Sequence, residues 1–192
     1  ERSGDRENAR KWMAAALTAA PKDANTRLAA AQWAFVAGQL DEARKHAIVA
    51  SQINPKLLRA TVLLGLIAMF ERDYESAELF FQSALKQWPD DFNTSNNLAI
   101  VLIEQKDESK QRRALEYAEA NVQKFPKSAH AASTYGLALY RLGRLDDAET
   151  ALRAAAPIMN SDIDTAYVIA SVSVDRGRKA EARQMLENAL KS

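Results

Sequence analysis

The sequence predicts an all-α chain built as a solenoid, with helix pairs stacked one on the next. Two observations carry this. Four of the five prolines, Pro21, Pro55, Pro89 and Pro126, are spaced by 34, 34 and 37 residues, and only Pro157 lies off that ladder. Small residues keep step with the prolines. With the closing proline of each unit as position 32, position 20 is Ala9, Ala43, Ala77, Ala114, Ala148 and Ala182. Position 8 is Ala31, Gly65, Ala99, Gly136 and Ala170. A period near 34 marks units that bury their apolar faces only by stacking on neighbours.

The elements follow in order. First helices are predicted near 24–37, 58–71, 92–105, 129–142 and 163–176. Second helices are predicted near 7–19, 41–53, 75–87, 111–124, 146–157 and 180–191. Asp41, Glu42, Glu75, Asp146, Asp147 and Glu181 open second helices, where acids suit the positive end of the helix dipole. Gly38, Gly143 and Gly177 fall in the turns between paired helices, where positive φ is often needed. The prolines close second helices because proline cannot continue one. The third unit carries three extra residues near Lys106–Gln111, read as a solvated long turn.

Leu64-Gly65, Ala77-x3-Phe81, Ala84 and Pro89 in one unit, with Tyr135-Gly136, Gly143, Ala148, Leu152 and Ala155 in another, resemble the tetratricopeptide repeat (TPR) family. The likeness runs through nearly the whole chain. It departs at position 4, where the family's first-helix Trp is missing, and in the longer third unit. The resemblance implies a right-handed α-solenoid of helix-turn-helix repeats, about five full and one N-terminal half. We expect a single domain over 1–192, with units 1–23 (partial), 24–57, 58–91, 92–128, 129–162 and 163–192.

Composition excludes several classes. The 26 basic and 25 acidic residues nearly balance, so the basic stripe of a nucleic-acid binder is absent. The longest apolar run, Ala60–Phe70, is shorter than the roughly 20 residues of a membrane span. With no cysteine, disulfide and thiol chemistry are out. The compartment stays open between bacterial cytoplasm and periplasm. The chain starts in mid-unit at Glu1, which reads as an excised fragment. The apolar Trp12, Met13 and Leu17 near that end suggest further chain packed there, or a homodimer formed through it.

No catalytic set is found. His46 and His130, the two histidines, lie in different units, and no metal-protease, phosphate-loop or nucleophile-elbow motif occurs. We therefore expect no enzyme activity, no cofactor and no metal. His46 reads as an edge residue, and the pairs Asp90-Asp91 and Asp146-Asp147 read as helix-start acids.

In the TPR family, first helices line a concave groove that holds segments of partner proteins. Carried over by position, the resemblance points to Arg59, Val62, Leu66, Met69 and Phe70 in the second full unit. It also points to Asn93, Asn96, Asn97, His130, Ser133, Thr134, Tyr140, Arg141 and Tyr167 further on. Positions three and four apart share a helix face. Adjacent asparagines are poor inside a helix, and an amide can both donate to and accept from a peptide backbone. The expectation is that Asn96 and Asn97 hold a partner's main chain while the apolar set receives side chains. Tyr140 and Arg141 would act as anchors. Asn97 before Leu98 equally suits the scaffold, and the apolar set equally suits core packing. Position 5 lacks lysine throughout, which argues against a clamp for a C-terminal carboxylate. Two functions fit: a scaffold binding another protein or peptide, or a structural spacer in a bacterial envelope assembly for polysaccharide or pilus export.

Overall fold

The computed structural model describes residues 2–191, with side chains from Glu7 onward. Glu1 and Ser192, which end the outermost predicted units, lie outside the described residues. The chain forms two compact units, Glu1–Pro89 and Asp90–Ser192. Among the described residues every regular element is helical.

The first unit contains α1 (Arg2–Ala19), α2 (Ala24–Val36), α3 (Leu40–Ile53), α4 (Leu58–Phe70) and α5 (Tyr74–Gln87). α2 pairs with α3 and α4 with α5, and α3 packs on α4. Its core is Leu28, Ala31, Ala43, Ala47, Ala60, Leu64 and Ile67. The alanines bring the helices close together. At Gly65 the approach is closest: a Cβ there would lie 2.6 Å from the Phe81 ring.

The second unit contains α6 (Phe92–Glu104), α7 (Glu108–Lys124), α8 (Ala129–Arg141), α9 (Leu145–Leu152), a 3-10 turn (Ala156–Ile158), α10 (Ile163–Asp175) and α11 (Lys179–Ala189). α6, α8 and α10 pair with α7, α9 and α11, and they also pack side by side. Gly136 meets Leu152 much as Gly65 meets Phe81; a Cβ would lie 2.5 Å from Leu152 Cγ.

Local chemistry explains the helix starts. Asp23, Asp91 and Asp162 each accept the backbone N–H of a threonine three residues on, Thr26, Thr94 and Thr165. These side chains satisfy N–H groups the helix itself leaves unpaired. Each turn from first to second helix passes through one left-handed residue. Gly38, Gly143 and Gly177 take φ of 74°, 75° and 80° there, while Arg72 and Lys106 take 62° and 56°.

Two expectations need correction. The three extra residues of the third unit do not form a long turn. They extend a helix, so α7 has 17 residues where α3 and α5 have 14, with Asp107 capping it through the Lys110 N–H. The helix predicted over 146–157 instead ends at Leu152. Pro157 has no N–H to give the carbonyl four residues back, and the chain passes into the tighter 3-10 turn.

Candidate binding face on the first helices

In the first unit the predicted face lies on α4, next to α2. Val62, Leu66 and Met69 are half-buried and Arg59 is exposed. Phe70 is 64% exposed and Val36 87%. Phe70 meets Phe35 edge-on, with ring centroids 5.2 Å apart. This rim is apolar and open to solvent.

In the second unit the face is built from α6, α8 and α10, and its links are polar. Thr165 donates to Ser133 Oγ at 2.8 Å, joining position 3 of one repeat to position 5 of the repeat before. The Tyr140 hydroxyl donates to Asp175 Oδ2 at 2.9 Å. Arg141 donates to Glu104 at 3.4 Å. His130 Nδ1 lies 3.3 Å from Asp162 Oδ2. Burial, then the hydrogen bond to Asp175, push the Tyr140 phenol above its usual range, so it stays a donor.

One repeat earlier the register brings Asn96, at position 5, level with Ala131 at position 3. Alanine offers no hydrogen bond. Asn96 Oδ1 is buried and unpartnered among the described residues. Leaving a buried acceptor unpaired costs about 1–3 kcal/mol. Asn97 beside it is half-buried, and Asn93 one turn away is exposed. Tyr167 is 57% exposed.

The structure thus gathers Asn93, Asn96, Asn97, His130, Ser133, Tyr140, Arg141 and Tyr167 onto adjacent first helices of one unit. Arg59, Val62, Leu66, Met69 and Phe70 lie on α4 of the other unit. Thr134 departs from the expectation of an open groove position: it is only 5% exposed and is part of the packed interior. Nothing in the sequence pointed to the pairings through Thr165, Asp175 and Glu104. Each depends on which residues of neighbouring helices come level.

The period near 34 residues, the hairpin pairing and the αL turns define a helical-repeat fold. Comparison with known proteins supports this. A structure of MamA 41-end from Desulfovibrio magneticus RS-1 superposes with a TM-score of 0.70 at 21% identity, over 88% of this chain and 93% of that one. A thermophilic TPR protein of Thermus thermophilus gives 0.76 at 19% identity, over 88% and 90%. YrrB, described as a TPR protein with an unusual peptide-binding site, gives 0.67 at 20% identity, over 93% and 91%. The family model for subunit 3 of the anaphase-promoting complex, or cyclosome, matches residues 107–189. No curated protein matches in sequence. In fold, the chain is similar to these tetratricopeptide-repeat proteins.

Proposed function

We propose that the chain is a protein-interaction scaffold and that the α6–α8–α10 face of its second unit holds an extended segment of a partner. One observation carries this reading: the buried, unpaired Oδ1 of Asn96. At the next step of the same register, hydroxyls fill both positions and satisfy each other. At this step an amide faces an alanine. A backbone N–H laid across α6 and α8 would satisfy Asn96, with Asn97 and Asn93 beside it to continue the contact. The description of YrrB as peptide-binding agrees with a TPR face used in this way. Nearby, Arg141 is engaged by Glu104 within the unit, and His130 Nδ1 lies beside Asp162 Oδ2. Recognition there rests on main-chain hydrogen bonds and on the exposed Tyr167 ring rather than on ion pairs.

The test replaces Asn93 with a photo-crosslinking amino acid in the intact chain, in wild-type and Asn96→Ala backgrounds. A second crosslinker at Glu119 of α7, an exposed position on a second helix, is the control. A crosslinked partner at Asn93, absent at Glu119 and lost in Asn96→Ala, is expected. A partner captured equally at both positions, and unaffected by Asn96→Ala, overturns the assignment and favours the spacer reading.

A further inference from the structure

Pro157, the proline off the 34-residue ladder, has a consequence beyond ending a helix. After Leu152 the chain runs through i→i+3 bonds, among them Ala155 N–H to Leu152 O and Ile158 N–H to Ala155 O. This segment lines one side of a hollow of about 200 Å³ between α9, α10 and α11. Its apolar floor is Leu152, Met159, Ile169, Val172 and Met185. Ile169 and Val172 lie on a different face of α10 from Asp164, Tyr167 and Ser171, so the hollow and the candidate groove are separate.

Size and charge narrow the occupant. An apolar cavity of about 150 Å³ takes a benzene ring, so this one fits a single ring or branched chain. Methionine adapts to ligand shape and is favoured at surfaces that accept varied partners. At the rim, Arg178 is held by Glu149 at 2.8 Å and by Glu181 at 3.6 Å. Arg176 pairs with Asp146 and Glu149. Arg153 lines the same rim, and no hydrogen bond or ion pair of its guanidinium is found among the described residues. Its charge acts only at longer range, as one of the weaker causes holding the Glu149 carboxyl below its usual range. A guanidinium with five donors thus stands without a hydrogen-bond partner beside an apolar floor.

We propose that this hollow is a second binding site, one that takes an apolar ring from an acidic segment of a partner protein, with a neighbouring carboxylate on Arg153. It does not depend on the groove: Asn96→Ala leaves it intact, so the two readings fail separately.

The chain has four methionines, two in the hollow and two, Met13 and Met69, in the first unit. Methyl-labelled methionine NMR on the full chain therefore carries its own controls. The probes are the capped peptides acetyl-Glu-Phe-Glu-amide, acetyl-Gln-Phe-Gln-amide and acetyl-Glu-Ala-Glu-amide. Saturable shifts of Met159 and Met185 with the first peptide are expected, with Met13 and Met69 unmoved. Binding should be about fivefold weaker without the carboxylates, the scale of one partly exposed charge contact, and undetectable without the ring. Arg153→Gln should bring the acidic peptide down to the affinity of its amide counterpart. Equal binding of the acidic and amide peptides, shifts at all four methionines, or no saturable shift would each overturn the proposal.

Discussion

The two units link their first helices at the same register with opposite chemistry. In both, position 12 of one repeat reaches position 13 of the next. In the first unit that link is Phe35 against Phe70, an aromatic edge contact. In the second it is the Tyr140 hydroxyl on Asp175. The backbone repeat fixes which residues meet, and the side chains decide what surface remains. The aromatic link leaves Phe70 and Val36 exposed. The polar link uses up its own donor and acceptor. In the second unit, Asn96 Oδ1 stands beside these matched links without a partner of its own, as do the buried Thr94 Oγ1 and Asn121 Nδ2.

Close helix approach offers the largest test of the comparison. Gly65 faces the fully buried ring of Phe81, and Gly136 faces Leu152 at the end of the shortened α9. Gly65→Ala should cost about 2 kcal/mol, because overpacking against a fixed ring outweighs the gain in helix propensity. Gly136→Ala should cost less than about 1 kcal/mol, since Leu152, the last residue of α9, can change rotamer. Urea unfolding of both variants checks the order, and equal costs would show that the two hairpins pack alike.

Next in size is Asn96→Ala. Removing a buried oxygen without a partner should raise stability by about 1 kcal/mol, with better helix propensity adding to it, while the Asn93 crosslink is lost. A variant that gained stability and kept its partner would make Asn96 a mere packing defect. Tyr140→Phe should cost about 0.5–1 kcal/mol through loss of its hydrogen bond to Asp175. In the corresponding link of the first unit, Phe70→Leu, at the position-13 end, should cost less because that ring is mostly exposed.

Much of this was legible in the sequence, and the misses have physical causes. The small residues at positions 8 and 20 mark helix contacts within a repeat, so the hairpins and their order could be read from spacing alone. The three-residue insertion could not be placed, because Glu108-Ser109-Lys110 reads as turn-like by charge. Yet Asp107 in front of it supplies an N-cap that draws those residues into α7. Pro157 was visible as an irregularity, but its effect on α9 and the hollow beside it depends on three helices meeting. The Ser133–Thr165 bond and the orphan on Asn96 need the register between repeats. That register is set by packing, and no local pattern reports it.

The left-handed turn residue gives a test in each unit. Arg72 and Lys106 hold φ of 62° and 56° where the other turns use glycine. A side chain there costs on the order of 1 kcal/mol relative to glycine, partly offset because glycine loses more freedom on folding. Arg72→Gly and Lys106→Gly should each raise stability by about 0.5 kcal/mol in thermal unfolding. Unequal gains would show that one unit already relieves the strain elsewhere.

The smallest effect expected belongs to the first unit alone. His46 lies 3.4 Å from the Arg27 guanidinium. Burial first, then the charge of Arg27, hold its imidazole below the ordinary value of 6.5, against the opposing pull of Glu42. The sign follows from which state takes the proton first. Above 6.5 both folded and unfolded chains carry a neutral ring, and the stability due to this site is complete. As the pH falls below 6.5 the unfolded chain binds the proton before the folded one does, so stability declines until the folded pKa is passed. Below that the loss is constant. His46→Gln should flatten this part of the stability profile without changing its level above neutral pH, and Arg27→Gln should reduce the slope without abolishing it, because burial is the larger cause. Melting temperatures of the three chains between about pH 5 and 8, the window in which histidine titrates, decide it. A slope that survived in His46→Gln would assign the acid sensitivity to other groups.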